Sequence, residues 1–123
     1  MDDLIQNGIQ WLAGRLLDRA SRTVEYHRGQ DAVSLQAIIG RTVFEIVDSS
    51  GIVERYESRD FIVPADALVL AGEQIVPRRG DWIVETIGVA PLTYEVMAPE
   101  NEPVWAYADA YHQMIRIHTK QIG

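Results

Sequence analysis

The hydrophobic period of this chain changes once, at Ser21, and that change constrains its fold more than any other feature. Before it, apolar residues recur at Ile5, Ile9, Leu12, Leu16 and Ala20, with Leu4, Trp11 and Leu17 widening the stripe. That 3.6-residue spacing predicts an amphipathic helix over residues 3–20, capped by Asp2 or Asp3. Gly8 and Gly14 each cost it about 1 kcal/mol relative to alanine, so the helix needs a partner surface. The stripe can serve its own barrel or a neighbouring subunit.

After Ser21 the period is 2. Val24 and Tyr26 lie on one side of a first strand, and Val33, Leu35, Ala37 and Ile39 on one side of a second, with Arg28-Gly29-Gln30-Asp31 as the turn. Strands at 42–47 and 52–58 flank Asp48-Ser49-Ser50-Gly51, a second hairpin turn. Residues 59–63 continue the fourth strand after a bend, and Pro64 ends its ladder for want of an N–H. Residues 65–70 are read as a short helical turn. Pro77-Arg78-Arg79-Gly80-Asp81 is a turn that launches a strand at 82–86, and Pro91 and Pro99 bound the next, at 93–97. Residues 98–110 read as an irregular loop, and residues 111–120 as a final strand. The fold class is therefore α+β and mostly β: an N-terminal amphipathic helix, then a small antiparallel barrel or sandwich of six to seven strands, in a single domain spanning 1–123.

Composition bounds the chemistry. The chain has 123 residues, a net charge of −7 and no cysteine, which excludes disulfides and thiolate zinc sites. Its start lacks the basic flank and unbroken apolar centre of a signal peptide, and no run approaches the roughly 18 apolar residues of a membrane helix, so an intracellular protein that does not span a membrane is expected. Net negative charge disfavours nonspecific binding to nucleic acid, which depends on clustered Lys and Arg.

No catalytic constellation stands out. His112 and His118 are six residues apart on the expected final strand, hence about 20 Å, and cannot share one metal. His27 can approach one of them at most, so no metal and no cofactor is expected. The carboxylate pairs Glu54/Glu57 and Glu100/Glu102 have no distinctive spacing, and no serine has a nucleophile-elbow context. Arg79-Gly80-Asp81 spells an adhesion tripeptide, but a glycine between charged residues before a strand is what a tight bend needs, and Pro77, Gly80 and Asp81 are read as a structural turn. The final strand has two faces: Tyr111, Gln113, Ile115, Ile117 and Thr119 on one, His112, Met114, Arg116, His118 and Lys120 on the other. The second is either a solvated outer face or a basic ridge for an acidic neighbour, a second copy included. Trp105, Tyr107 and Tyr111 suit an interface anchor as well as a core edge. Trp105, Tyr107, Tyr111, His112, Arg116, His118 and Lys120 are the candidate partner interface.

An amphipathic start followed by hairpins, then Pro77-Arg78-Arg79-Gly80-Asp81-Trp82-Ile83, Thr93-Tyr94-Glu95-Val96 and a terminal strand, resembles the small head-completion and head-tail joining proteins of tailed bacteriophages and prophages. The resemblance implies a non-enzymatic virion protein, made in the host cytoplasm, that assembles as a ring beneath the portal. Its partners would be its own copies, the portal and tail proteins, with DNA passing an acidic channel wall unbound. The alternative is an unrelated small barrel acting as an oligonucleotide-binding-like or adaptor module, which calls for stacking aromatics beside a basic groove.

Overall fold

The computed structural model describes residues 21–123, so the helix expected over residues 3–20 lies outside the described residues. What the period-2 patterning builds is antiparallel sheet throughout. Strands β1 (Arg22–Arg28), β2 (Asp31–Val47) and β3 (Val53–Pro64) form a meander, followed by a 3-10 turn at Ala65–Ala67. The strands β4 (Val69–Leu70) and β5 (Glu73–Gln74) make a small separate hairpin. Then come β6 (Trp82–Ile87), β7 (Ala90–Val96), β8 (Trp105–Tyr107) and β9 (Met114–Gln121).

Six strands close into a barrel in the order β3-β2-β1-β6-β7-β9, and the pairing of β3 with β9, from Arg59↔Thr119 to Pro64↔Met114, seals it. On its other edge β9 is shared. Residues Thr119, Lys120 and Gln121 pair with β7, while Ile115, Arg116 and Ile117 pair with the extra strand β8. Alternation puts Val24, Tyr26, Leu35, Ala37, Phe61, Val63, Ile83, Tyr94, Val96, Ile115 and Ile117 into one buried apolar core.

The structure redraws several expected boundaries. The strands expected at 33–39 and 42–47 are one 17-residue strand. Gly40, in the gap between them, is not a break: a Cβ there would meet Arg116 Nη1 at 3.2 Å, so the glycine admits a side chain from β9. The stretches at 52–58 and 59–63 are likewise one strand with Pro64 as its last residue. Pro91 lies inside β7 rather than before it. The Asp81–Val96 bond sets the ladder phase, so Pro91, opposite Thr86, falls at a rung without β6–β7 hydrogen bonds and its missing N–H costs nothing. Residues 65–70 form the 3-10 turn and then enter β4. The loop at 98–110 contains strand β8, and β9 starts at Met114 instead of residue 111. The Asp109 carboxylate accepts the N–H groups of Tyr111 (3.1 Å), Gln113 (2.9 Å) and Met114 (2.8 Å), winding residues 109–113 into a turn before the ladder begins.

Candidate functional site

Strands β2 and β3 outrun the barrel. β1 pairs with β2 only as far as Ala37, and β9 pairs with β3 only from Arg59 onward, yet β2 and β3 remain paired out to Val47↔Val53. The result is a two-stranded arm, residues 38–58, with Asp48-Ser49-Ser50-Gly51 at its tip. The tip is tightly built: Asp48 accepts hydrogen bonds from Ser50 Oγ at 2.6 Å and from the N–H groups of Ser50 and Ile52 at 2.9 Å, which hold its carboxyl below the usual range. Its apolar residues are open: Val47 is 64% exposed, Ile52 58% and Val53 55%.

Where the arm leaves the barrel sits a buried acid. Asp60 on β3 accepts hydrogen bonds at Oδ2 from Thr42 Oγ1 (2.5 Å) and Arg116 Nη1 (2.6 Å), and at Oδ1 from Ser58 Oγ (2.6 Å), with Oδ1 also 2.9 Å from His118 Nδ1. Burial pushes the carboxyl up, but the bonds to His118, Ser58, Thr42 and Arg116 outweigh it and bring it down to about 2. Phe44 sets its ring edge-on to His118 at 5.1 Å, and Lys120 Nζ lies 4.7 Å from the centroid of the Tyr56 ring. One acid thus ties β2, β3 and β9 together at the arm's root.

Two further carboxylates hold the barrel from within. Glu85, fully buried on β6, accepts Arg59 Nη2 at 2.8 Å and Arg22 Nη1 at 2.7 Å, and Arg59 also stacks over Tyr94 at 5.2 Å. Asp81, 5% exposed, receives the Tyr26 hydroxyl, Arg28 Nη2 at 2.8 Å and the Arg78 N–H at 3.1 Å. Burial, reinforced by Asp81, pushes the Tyr26 phenol far up, and the Asp81 bond raises Arg28. Gly80 takes φ 90° beside it and Pro77 is buried, so this turn turns its aspartate inward. Arg79 reaches the other way, donating to the carbonyls of Ala98 (2.8 Å) and Glu102 (2.7 Å) and so anchoring the Pro99–Pro103 loop.

The candidate interface residues divide into two groups. Trp105, Tyr107 and His112 form one cluster on and beside β8: Trp105 meets Tyr107 edge-on at 5.0 Å, and His112, at φ 58°, stacks on Tyr107 at 3.9 Å. Tyr111 is half-buried in the Asp109 turn next to them. Arg116, His118 and Lys120 lie along β9, where Arg116 is half-buried, His118 buried and Lys120 exposed. The acidic neighbour of this ridge is, for Arg116 and His118, the chain's own Asp60.

The sequence matches the family described as phage head-tail joining protein over residues 2–123. The chain belongs to that family. No curated protein matches it. Head-tail joining proteins are structural components of the phage virion. Among the described residues no group of three or more His, Asp or Glu could hold a metal, and no helix is long and apolar enough to cross a membrane. A cleft of about 590 Å3 at the arm's root is lined by Gly40, Arg41, Glu57, Tyr94, Lys120 and Gln121.

Asp60, Glu85 and the arm itself escaped the sequence reading. For Glu85 a signal was present: it shares the inward face with Ile83 two residues before it, so strict alternation places a charge in the core. For Asp60 there was none, because apart from Ser58 two residues before it its partners Thr42, Arg116 and His118 lie 18 to 58 positions away.

Proposed function

We propose that this head-tail joining protein assembles as a closed ring beneath the portal, sealing the filled head or presenting the surface on which the tail docks. The observation that carries the reading is the arm: in a chain of this family, a paired β-ribbon with exposed Val47, Ile52 and Val53 beside its tip extends past the closed six-stranded barrel. Such a ribbon has no use for the isolated barrel, and exposed apolar strand of this kind marks a contact site. A closed ring is a heterologous assembly, so one surface must fit a different one on the next copy. Trp105, Tyr107, Tyr111, His112, Arg116, His118 and Lys120 supply contacts with ring neighbours, portal and tail, with buried His118 acting from beneath by fixing Asp60 and hence Arg116. The net charge of −7 suits a channel wall that lets DNA pass without holding it. The subunit works without catalysis or cofactor, as one 1–123 unit that forms in the host cytoplasm and ends in the virion.

Negative-stain imaging of the purified protein, alone and with the portal from the same genome, tests this. Rings, or density added beneath the portal, are expected; a monomer indifferent to the portal overturns the proposal.

A further inference from the structure

The ladder phase of two strands reveals two unlike open edges. In the arm, the N–H of Asp48 bonds the carbonyl of Ile52 at 3.0 Å, so the even residues of β2 carry the bonds to β3. The N–H and C=O groups of Ile39, Arg41, Val43, Glu45 and Val47 therefore point away from β3, and beyond Ala37 no described strand meets them. In β8, the bonds His118 N–H to Val104 C=O and Ala108 N–H to Met114 C=O, each 2.8 Å, place the β9-facing groups on Val104, Ala106 and Ala108. The N–H and C=O of Trp105 and Tyr107 face outward. Among the described residues, arm edge and β8 edge thus each present unpaired backbone at alternate positions.

They also match in side chains. Val43 and Val47 carry on the barrel's inward side, sharing the parity of buried Leu35 and Ala37, and Trp105 and Tyr107 stand on the same side, opposite Ile117 and Ile115. A sheet joining the two edges would lay the valines beside the aromatics. Charge agrees: on the arm Glu45, Asp48, Glu54 and Glu57 outnumber Arg41 and Arg55. Beside Tyr107 a cleft of about 480 Å3 is lined by Arg28 and by Arg78, which is exposed and in no ion pair among the described residues. The two edges lie toward opposite ends of β9, since the arm leaves near Thr119 while β8 pairs from Ile117 toward Ile115. One copy's arm is thereby kept from its own β8.

We infer that the arm of one copy adds, through the open edge of β2, to the edge of β8 in the next copy, making the heterologous contact of the ring by strand addition. This rests on the ring reading above and names the surfaces that would build it.

The chain has no cysteine, so introduced ones report cleanly. Full-length V47C and Y107C variants, one enlarged by a tag, are mixed and treated with a short bismaleimide, both as concentrated protein and after assembly with the portal. Mixed V47C–Y107C dimers are expected in several-fold excess over like pairs, and the excess should vanish when V43K is added to the V47C arm. Like pairs in equal or greater amount, or arm cysteines captured by the portal, overturn the strand-addition contact. If imaging still shows a ring beneath the portal, that failure leaves the ring standing; absence of both crosslinks and ring overturns the two together.

Discussion

Glu85 in the barrel and Glu45 on the arm are each a carboxylate facing an arginine on a neighbouring strand, and they could hardly differ more. Glu85 is fully buried and meets Arg59 at 2.8 Å and Arg22 at 2.7 Å, while Glu45 stands in solvent with Arg55 3.7 Å away. The same two strands, β2 and β3, run from the environment of the first into that of the second without a break in their ladder. Continuity of backbone pairing therefore says nothing about where packing stops. Inside, charge is committed to holding the fold; outside, backbone and valine are left for something else.

The largest expected effect breaks the inner half of this comparison. Glu85→Ala leaves two arginines converging on an empty place in the core and should lower stability by about 3 kcal/mol in urea unfolding, near the lower end for breaking a buried pair. A loss below about 0.5 kcal/mol, the range of a surface change, would mean that Glu85 is solvated in the folded protein.

Asp60 comes next, at the seam between body and arm. Its folded carboxyl sits at about 2 against 3.8 in the unfolded chain, so its contribution is complete above about pH 4 and fades as pH falls toward 2. The difference corresponds to about 2 kcal/mol at neutral pH. Asp60→Asn should thus lose about that much at pH 7, with the gap to the wild type closing on acidification through this window. A gap that stays constant from pH 7 to pH 2 would show that the charge on Asp60 is not what Arg116 and His118 hold.

How far the sequence carries toward this picture depends on the range of the interactions concerned. The turns at Gly29 and Gly51, the strands around Ile83 and Tyr94 and the inward alternation of Leu35 and Ala37 follow from neighbours within a few residues. The closure of β3 on β9 joins positions some 50 to 60 apart, and nothing local in Phe61 or Ile117 names the other as partner. The continuity of β2 through Gly40 was hidden for the same reason, since what that glycine admits is Arg116 from the far end of the chain. β8 was hidden because three residues are too few to show a period, and the basic ridge of β9 could not reveal that Asp60 already answers it. The aromatic cluster was more legible: Trp105, Tyr107 and His112 are close in sequence, and a local turn at Asp109 suffices to bring them together.

Tyr56 tests the boundary from the arm's side. Its hydroxyl oxygen is buried without a hydrogen-bond partner among the described residues, and burial raises its pKa. Deleting an unpaired buried hydroxyl removes a desolvation cost, so Tyr56→Phe should be neutral or stabilise by up to about 1 kcal/mol while the ring keeps its place over Lys120. A clear loss of stability would mean that the hydroxyl is satisfied and that the packed region reaches farther along the arm.

The smallest effect is the most telling for the comparison. Glu45→Ala removes one member of a 3.7 Å pair between two well-exposed side chains, and such pairs contribute between nothing and about 1 kcal/mol. In the isolated subunit the change should stay within about 0.5 kcal/mol, the size expected of a surface site. In the proposed ring Glu45 would sit on the edge that adds to β8, beside the arginine-lined cleft, and there the same substitution should weaken association measurably by sedimentation. The two measurements together separate the roles. Equal effects in subunit and assembly would make the arm an ordinary extension of the barrel, whereas a silent subunit and a weakened assembly would place its charge, unlike that of Glu85, between copies.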